Sequence, residues 1–219
     1  MPAEQLSFPL PIRIAMGAAD FVVSESNRDA VAWLDRWPEW PGSILAIYGP
    51  AGCGKTHLAH VWQMRSHAVF LPDDGFNRLP SDANVVLDGR RLAEEDLFHR
   101  INHVRSRGLS LLILDREPPA RWPVSLPDLA SRLAGLPSIA VQAPDDALLE
   151  AILHKHFSDR QIRVTPEVVA YLVRRIERSF AAAEQVATKL DRLALSRGSA
   201  ISIKLAREIF DEDRSDTAL

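Results

Sequence analysis

Short, continuous apolar runs alternate with stretches of helical periodicity over the first two thirds of the chain. The runs cover residues 44–48, 68–71, 85–87, 109–114 and 139–141, each too short for a globular helix. Strands without a polar face are strands buried on both sides. Five of them separated by helices therefore predict an α/β unit, a parallel five-stranded sheet covered on both faces. Between the strands, helices are expected over 26–37, 55–65, 93–107 and 126–134. In the first, Ala30, Val31, Leu34 and Trp37 recur at helical spacing before Pro38. Residues 1–18 contain Pro2, Pro9 and Pro11, show no periodicity, and read as an extended arm.

After Ala143-Pro144 the apolar runs disappear and only the helical period remains. Asp145 or Asp146 can cap a helix carrying Leu148, Leu149, Ile152 and Leu153. Thr165-Pro166 is a capping residue followed by proline at the first helical position, leading into Val168, Val169, Leu172, Val173 and Ile176. Ser179 and Ser202 can cap two more helices, the first with Phe180, Ala183, Ala187, Leu190 and Leu193, the second with Leu205, Ile209 and Phe210. The expected organisation is an arm at 1–18, an α/β core at 19–143, a small all-helical unit at 144–213 and an acidic tail at 214–219. A unit of about seventy residues has a marginal core unless it docks on a larger one.

The chemistry concentrates after the first strand. Gly49-Pro50-Ala51-Gly52-Cys53-Gly54-Lys55-Thr56 follows strand 44–48 and opens a helix, the context in which G-x-x-x-x-G-K-[ST] binds phosphate. Glycines let backbone N–H groups turn toward the phosphates, Lys55 can neutralise β and γ oxygens, and the Thr56 hydroxyl can ligate Mg²⁺. The helix N-terminus adds a favourable dipole. Asn84-Val85-Val86-Leu87-Asp88 is a strand ending in a carboxylate, the form of a Walker B segment, and Asp88 can hold Mg²⁺ through water. An aspartate at a strand end also caps turns. The next residue is Gly89, where a second carboxylate would activate water, and Glu94 and Glu95 lie too far along to replace it. Nucleotide binding is favoured over efficient hydrolysis.

Composition narrows this further. Of 219 residues 47% are apolar and 25% charged, which excludes a largely disordered or low-complexity chain. Lys plus Arg is 26 and Asp plus Glu is 29, a net charge of −3, so nucleic acid could be met only through a local patch. The single cysteine, Cys53, forbids an internal disulfide and suits a reducing compartment. The chain has no apolar run of membrane-spanning length and no basic, then apolar, leader at Met1-Pro2-Ala3-Glu4, so a cytoplasmic location is expected. His57 with His60 and His99 with His103 have helical spacing, but metal binding would need further ligands. Trp33, Trp37 and Trp40 suit packing better than base stacking. Arg90-Arg91 and Arg174-Arg175 read as solvated faces, with DNA or a protein partner as the other use.

These residues together resemble the AAA+ family and, within it, the branch of the replication initiator DnaA and its shorter relative Hda. Phe21-Val22-Val23 with Ser26-Asn27 resembles the segment beside the adenine, and Gly54-Lys55-Thr56-His57-Leu58-Ala59-His60 is similar to the DnaA-type G-K-T-H-L-x-H. Leu126-Pro127-Asp128-Leu129-Ala130-Ser131-Arg132-Leu133 resembles the box that carries the arginine finger, and the helical unit resembles the AAA+ lid. The resemblance implies ADP or ATP with Mg²⁺, held by Phe21, Val22, residues 49–57 and Asp88, and Arg132 as a catalytic group acting in trans on ATP held by DnaA. No helix-turn-helix segment follows the lid, which points to the Hda-like branch.

Gln5-Leu6-Ser7-Phe8-Pro9-Leu10 resembles the motif with which Hda proteins bind the DNA-polymerase sliding clamp. The Gln5 amide would offer paired hydrogen bonds, and Leu6, Phe8 and Leu10 would fill apolar pockets. The implied function is promotion of hydrolysis of DnaA-bound ATP, a negative regulation of replication initiation. The alternative is an active AAA+ ATPase of the loader or motor type. Departures from the family are Gly89, Leu114 with Asp115 after it at the end of the fourth strand, and Ala181 in place of a phosphate-sensing arginine. Arg178, about one turn earlier, is a candidate to reach in.

Overall fold

The computed structural model describes residues 22–71, 80–89 and 92–216, with side chains as far as residue 211. The arm 1–18, with its clamp motif Gln5 to Leu10, lies outside the described residues, as do Phe21, Arg90 and Arg91. Five strands, β1 (Ile44–Tyr48), β2 (Val69–Phe70), β3 (Val85–Asp88), β4 (Leu111–Asp115) and β5 (Ser138–Ala140), form one sheet in the order β2-β3-β4-β1-β5. Every pairing is parallel, as the unbroken apolar runs require.

Alternate strand residues enter two separate cores. Leu45, Ile47, Val86, Leu112 and Leu114 face α1 (Arg28–Asp35) and α2 (Lys55–Ser66). Ile44, Ala46, Val85, Leu87, Leu111 and Ile113 face α3 (Glu94–Arg107) and α4 (Pro127–Ala134). Leu114 is thus fully buried core, and a polar residue there would lack a partner. Trp62 of α2 stacks on Trp40 at 5.1 Å and meets Trp37 edge-on at 6.2 Å, while Trp40 Nε1 donates to the Trp33 carbonyl at 2.7 Å. The tryptophans are packing groups. α1 begins later than its periodicity suggests because Asn27 serves the chain before it. Its Oδ1 accepts from the Ser24 N–H and its Nδ2 donates to the Val22 carbonyl, each at 3.0 Å.

The helical unit has its own core, made by α5 (Asp146–Asp159), α6 (Pro166–Val173), α7 (Phe180–Arg197) and α8 (Ile203–Asp216). Leu149, Leu153, Phe157, Leu172 and Leu190 are fully buried in it, and Val22 packs against it from the core side of the chain. Asp145 caps α5 through the Leu148 N–H at 2.8 Å, Ser179 caps α7 through Ala182 at 3.1 Å, and Ser202 caps α8 through Leu205 at 3.3 Å. Thr165 occupies the cap position of α6 without a side-chain cap bond; Pro166 at the start of α6 presents no N–H, and the hydroxyl serves Glu167 instead, whose carboxyl it holds below the ordinary range. α8 runs on to Asp216, into the stretch assigned to the tail, because loss of apolar periodicity does not stop a helix that meets no Gly or Pro. Among the described residues no helix is long and apolar enough to cross a membrane.

Candidate functional site: the phosphate loop and its helical cap

The carboxyl ends of β1, β3 and β4 come level, since Tyr48 pairs with Asp115 and Asp88 with Leu114. The loop 49–54 leaves the sheet at this edge, tied by Gly49 N–H to the Asp115 carbonyl at 3.1 Å. Open α/β sheets bind ligands at this edge for that reason: loops and helix N-termini converge there. Lys55 folds back, its ammonium donating to the carbonyls of Gly49 at 2.9 Å and Pro50 at 2.7 Å, with Cys53 Sγ at 3.7 Å. These are bonds an ammonium exchanges readily for phosphate oxygens of higher charge.

Thr56 Oγ1 donates to Asp88 Oδ2 at 3.3 Å, so tertiary structure joins two oxygen ligands that are 32 residues apart. A hydroxyl and a carboxylate side by side fit Mg²⁺, which takes few protein ligands and keeps several waters. Gly89 adds nothing here: its φ is +81° and open space surrounds the position a Cβ would take. Glu94 cannot stand in, because its carboxylate accepts from the Ser125 and Leu126 N–H groups at 2.9 Å, just before α4. Asp115 Oδ1 accepts from the N–H groups of Arg116 and Glu117 in its own turn, at 2.6 and 3.1 Å.

The helical unit rests directly on the loop. Phe180 N–H donates to the Gly52 carbonyl at 3.0 Å. Gly52 has φ +71°, and a Cβ there would stand 2.5 Å from Ser179 Cβ; one at Gly54 would meet the Phe180 ring at 3.0 Å. Both glycines therefore serve close packing of the cap. Between loop and cap lies a cavity of about 410 Å³, lined on the loop side by Gly52, Gly54, Lys55, Thr56 and His57. The cap side contributes Ile152, Lys155, His156, Phe180, Ala181 and Glu184. That volume is in the range of small-molecule sites. Ser179 was legible only as a cap, and Lys155 and His156 carried no sequence signal, since nothing local tells which face of α5 meets the loop.

Arg178 turns away from the cavity, paired with Asp146 at 2.6 Å and donating to the Pro144 carbonyl at 3.3 Å. Arg132, on α4, lies with its guanidinium 4.8 Å from the centroid of the Phe98 ring. Among the described residues no carboxylate is within ion-pair distance of it. Neither histidine pair joins a metal cluster: among the described residues no three ligating side chains come together, His60 is bonded to Gln63, and His103 to the Ser81 carbonyl. Arg174 donates to the Ala170 carbonyl and Arg175 lies 3.8 Å over Tyr171.

No family model matches the chain. It is 28% identical over 225 residues to the chromosomal replication initiator protein DnaA of Thermomicrobium roseum, covering 88% of this chain and 48% of that protein. Domain III of DnaA from Thermotoga maritima superposes with a TM-score of 0.73, at 17% identity, over 88% of this chain and 94% of that one. The fold is that of DnaA domain III. AMPPCP-bound DnaA from Aquifex aeolicus superposes with a TM-score of 0.68, at 19% identity, over 89% of this chain and 68% of that one. The chain spans about half the length of the curated DnaA it matches.

Two outcomes follow from this DnaA-like geometry. Gly52→Ala lowers the melting temperature more than Gly89→Ala does, because both strain a left-handed backbone but only the first also collides with Ser179. Thermal melts of the two variants check this; equal losses would deny the cap contact. His156 is held below the ordinary imidazole range by burial and by Arg160, against weaker opposing effects of Glu184 and Asp159. The unfolded chain then takes up this proton first as pH falls, so stability is lost as pH drops through the unfolded value of 6.5 toward the lower folded one. His156→Gln should flatten part of that fall in denaturant titrations across the window.

Proposed function

We propose that this chain is an adenine-nucleotide-binding regulator of replication initiation that acts on DnaA. Its own nucleotide, ADP or ATP, lies in the cavity between loop 49–56 and the helical cap, with Lys55 on the phosphates. Thr56 and Asp88 are the residues that would hold Mg²⁺, which when bound neutralises phosphate charge. The AMPPCP carried by the Aquifex aeolicus DnaA supports an adenine nucleotide here. Without a carboxylate at Gly89 no side chain next to Asp88 can take a proton from attacking water, so hydrolysis in this chain's own site is slow.

Arg132 carries the proposal. A guanidinium that has no carboxylate partner among the described residues, yet is held against an aromatic face, is a cation placed for an anion from another molecule. Its helix is fixed at the other end by the Glu94 bonds to Ser125 and Leu126, so α3 both anchors α4 and backs the arginine with Phe98. Presented to ATP held by DnaA, Arg132 meets the charge that develops on the γ-phosphate and promotes hydrolysis in trans. The arm supplies location: Gln5 to Leu10 bind the sliding clamp and raise the local concentration at replicating DNA, with DNA met indirectly through the clamp or weakly. The intact Thr56–Asp88 pair is what favours the second reading, an active motor, and single-turnover ATPase by the isolated chain separates the two.

Arg132→Ala should cut clamp- and DNA-dependent stimulation of DnaA ATP hydrolysis by about 10³-fold or more, with nucleotide binding by this chain intact. Undiminished stimulation would defeat the trans role. Removing residues 5–10 should abolish retention by immobilised clamp while leaving nucleotide affinity unchanged; retained binding would place the clamp contact elsewhere.

A further inference from the structure

The cavity under the helical cap is unevenly charged, and a polyphosphate carries several negative charges that need partners there. The loop side supplies Lys55. On the cap side, α7 presents Phe180, Ala181 and Glu184, hence no cation and one carboxylate. Arg178, just before α7, is committed to Asp146 and the Pro144 carbonyl. α5 is different: it presents Ile152, Lys155 and His156 to the same space, and among the described residues Lys155 is the only lysine or arginine of the cap that lines it. His156 is held toward its neutral form by burial and by Arg160, so near neutral pH the charge on this wall belongs to Lys155.

Lys155 pairs with Asp159 one turn along α5 at 3.1 Å, with side-chain exposures of 36% and 55%. An i, i+4 pair this exposed holds its ammonium weakly, and a four-carbon stem can swing it toward a stronger anion. We propose that Lys155 is the phosphate-contacting cation of the helical cap: on binding of an adenosine di- or triphosphate it exchanges Asp159 for phosphate oxygens and draws α5 onto the ligand. This rests on the nucleotide reading of the cavity. It assigns to α5 a charge that α7 lacks at Ala181, and it offsets the Glu184 carboxylate that α7 presents to the same cavity.

Calorimetric titration of the full chain with ADP and with ATP tests the assignment. Lys155→Ala should weaken both by about tenfold, the size of one partly exposed charge-assisted hydrogen bond. Lys155→Arg should keep most of the affinity, and Ala181→Arg added to Lys155→Ala should recover part of it by returning a cation to the same wall. Asp159→Asn, which removes the competing carboxylate of that pair, should tighten binding about two- to threefold, and it decides the matter should Lys155→Ala fail to fold. Lys155→Ala with wild-type affinity would overturn the assignment, as would a loss that neither arginine variant repairs. A wild-type chain that binds neither nucleotide would instead remove the underlying reading of the cavity.

Discussion

The contact between the first residues of α7 and the glycine-rich loop 49–54 is the constraint on which the rest depends. A helical unit with a modest core of its own is laid on loop 49–54 by a backbone hydrogen bond from Phe180 to Gly52 and by Ser179 and Phe180 packed where side chains at 52 and 54 would otherwise be. The backbone at 52 and 54 is free of Cβ atoms, and that bareness lets the cap approach to van der Waals contact. One set of glycines thus couples cap position to loop shape. A ligand entering between them touches both units at once, which is how binding at one wall can be felt at the other.

A second assembly acts independently of the loop. Glu94 and Phe98 are one helical turn apart on α3, and they hold opposite ends of α4: the carboxylate takes the orphan N–H groups that precede the helix, and the ring takes the Arg132 guanidinium. The arrangement explains why Glu94 is unavailable to replace a carboxylate at Gly89. It has a structural task at α4, and its geometry is set by that task. The cavity beside the glycine-rich loop and the arginine of α4 are thus held by separate sets of contacts.

Much of this was legible in the residues. Five apolar runs placed all five strands and their parallel pairing, because strands with both faces buried cannot alternate. The caps at Ser179 and Ser202, and one at Asp145 or Asp146 that the structure gives to Asp145, were legible because a cap is a local bond, satisfied within three residues. Thr165 fails as a side-chain cap although its sequence context is equally favourable, since its hydroxyl goes to the Glu167 carboxyl. Arg178 was a candidate for the cavity by its position along the chain, yet Asp146, 32 residues away in sequence, takes it. Local order decides what a residue can do; the packing of distant elements decides what it meets.

By itself, the amino-acid sequence determined the elements, their class of sheet, the glycine-rich loop with Lys55 and Thr56, and the apolar faces, all of which follow from periodicity and short-range bonding. Only the tertiary structure decided that Thr56 and Asp88 share a hydrogen bond, that Lys155 rather than Arg178 faces the loop, and that Phe98 backs Arg132. These are meetings between residues far apart in the chain. Their distances are set by how the sheet, helices and cap pack together, and no spacing along a single strand or helix encodes them.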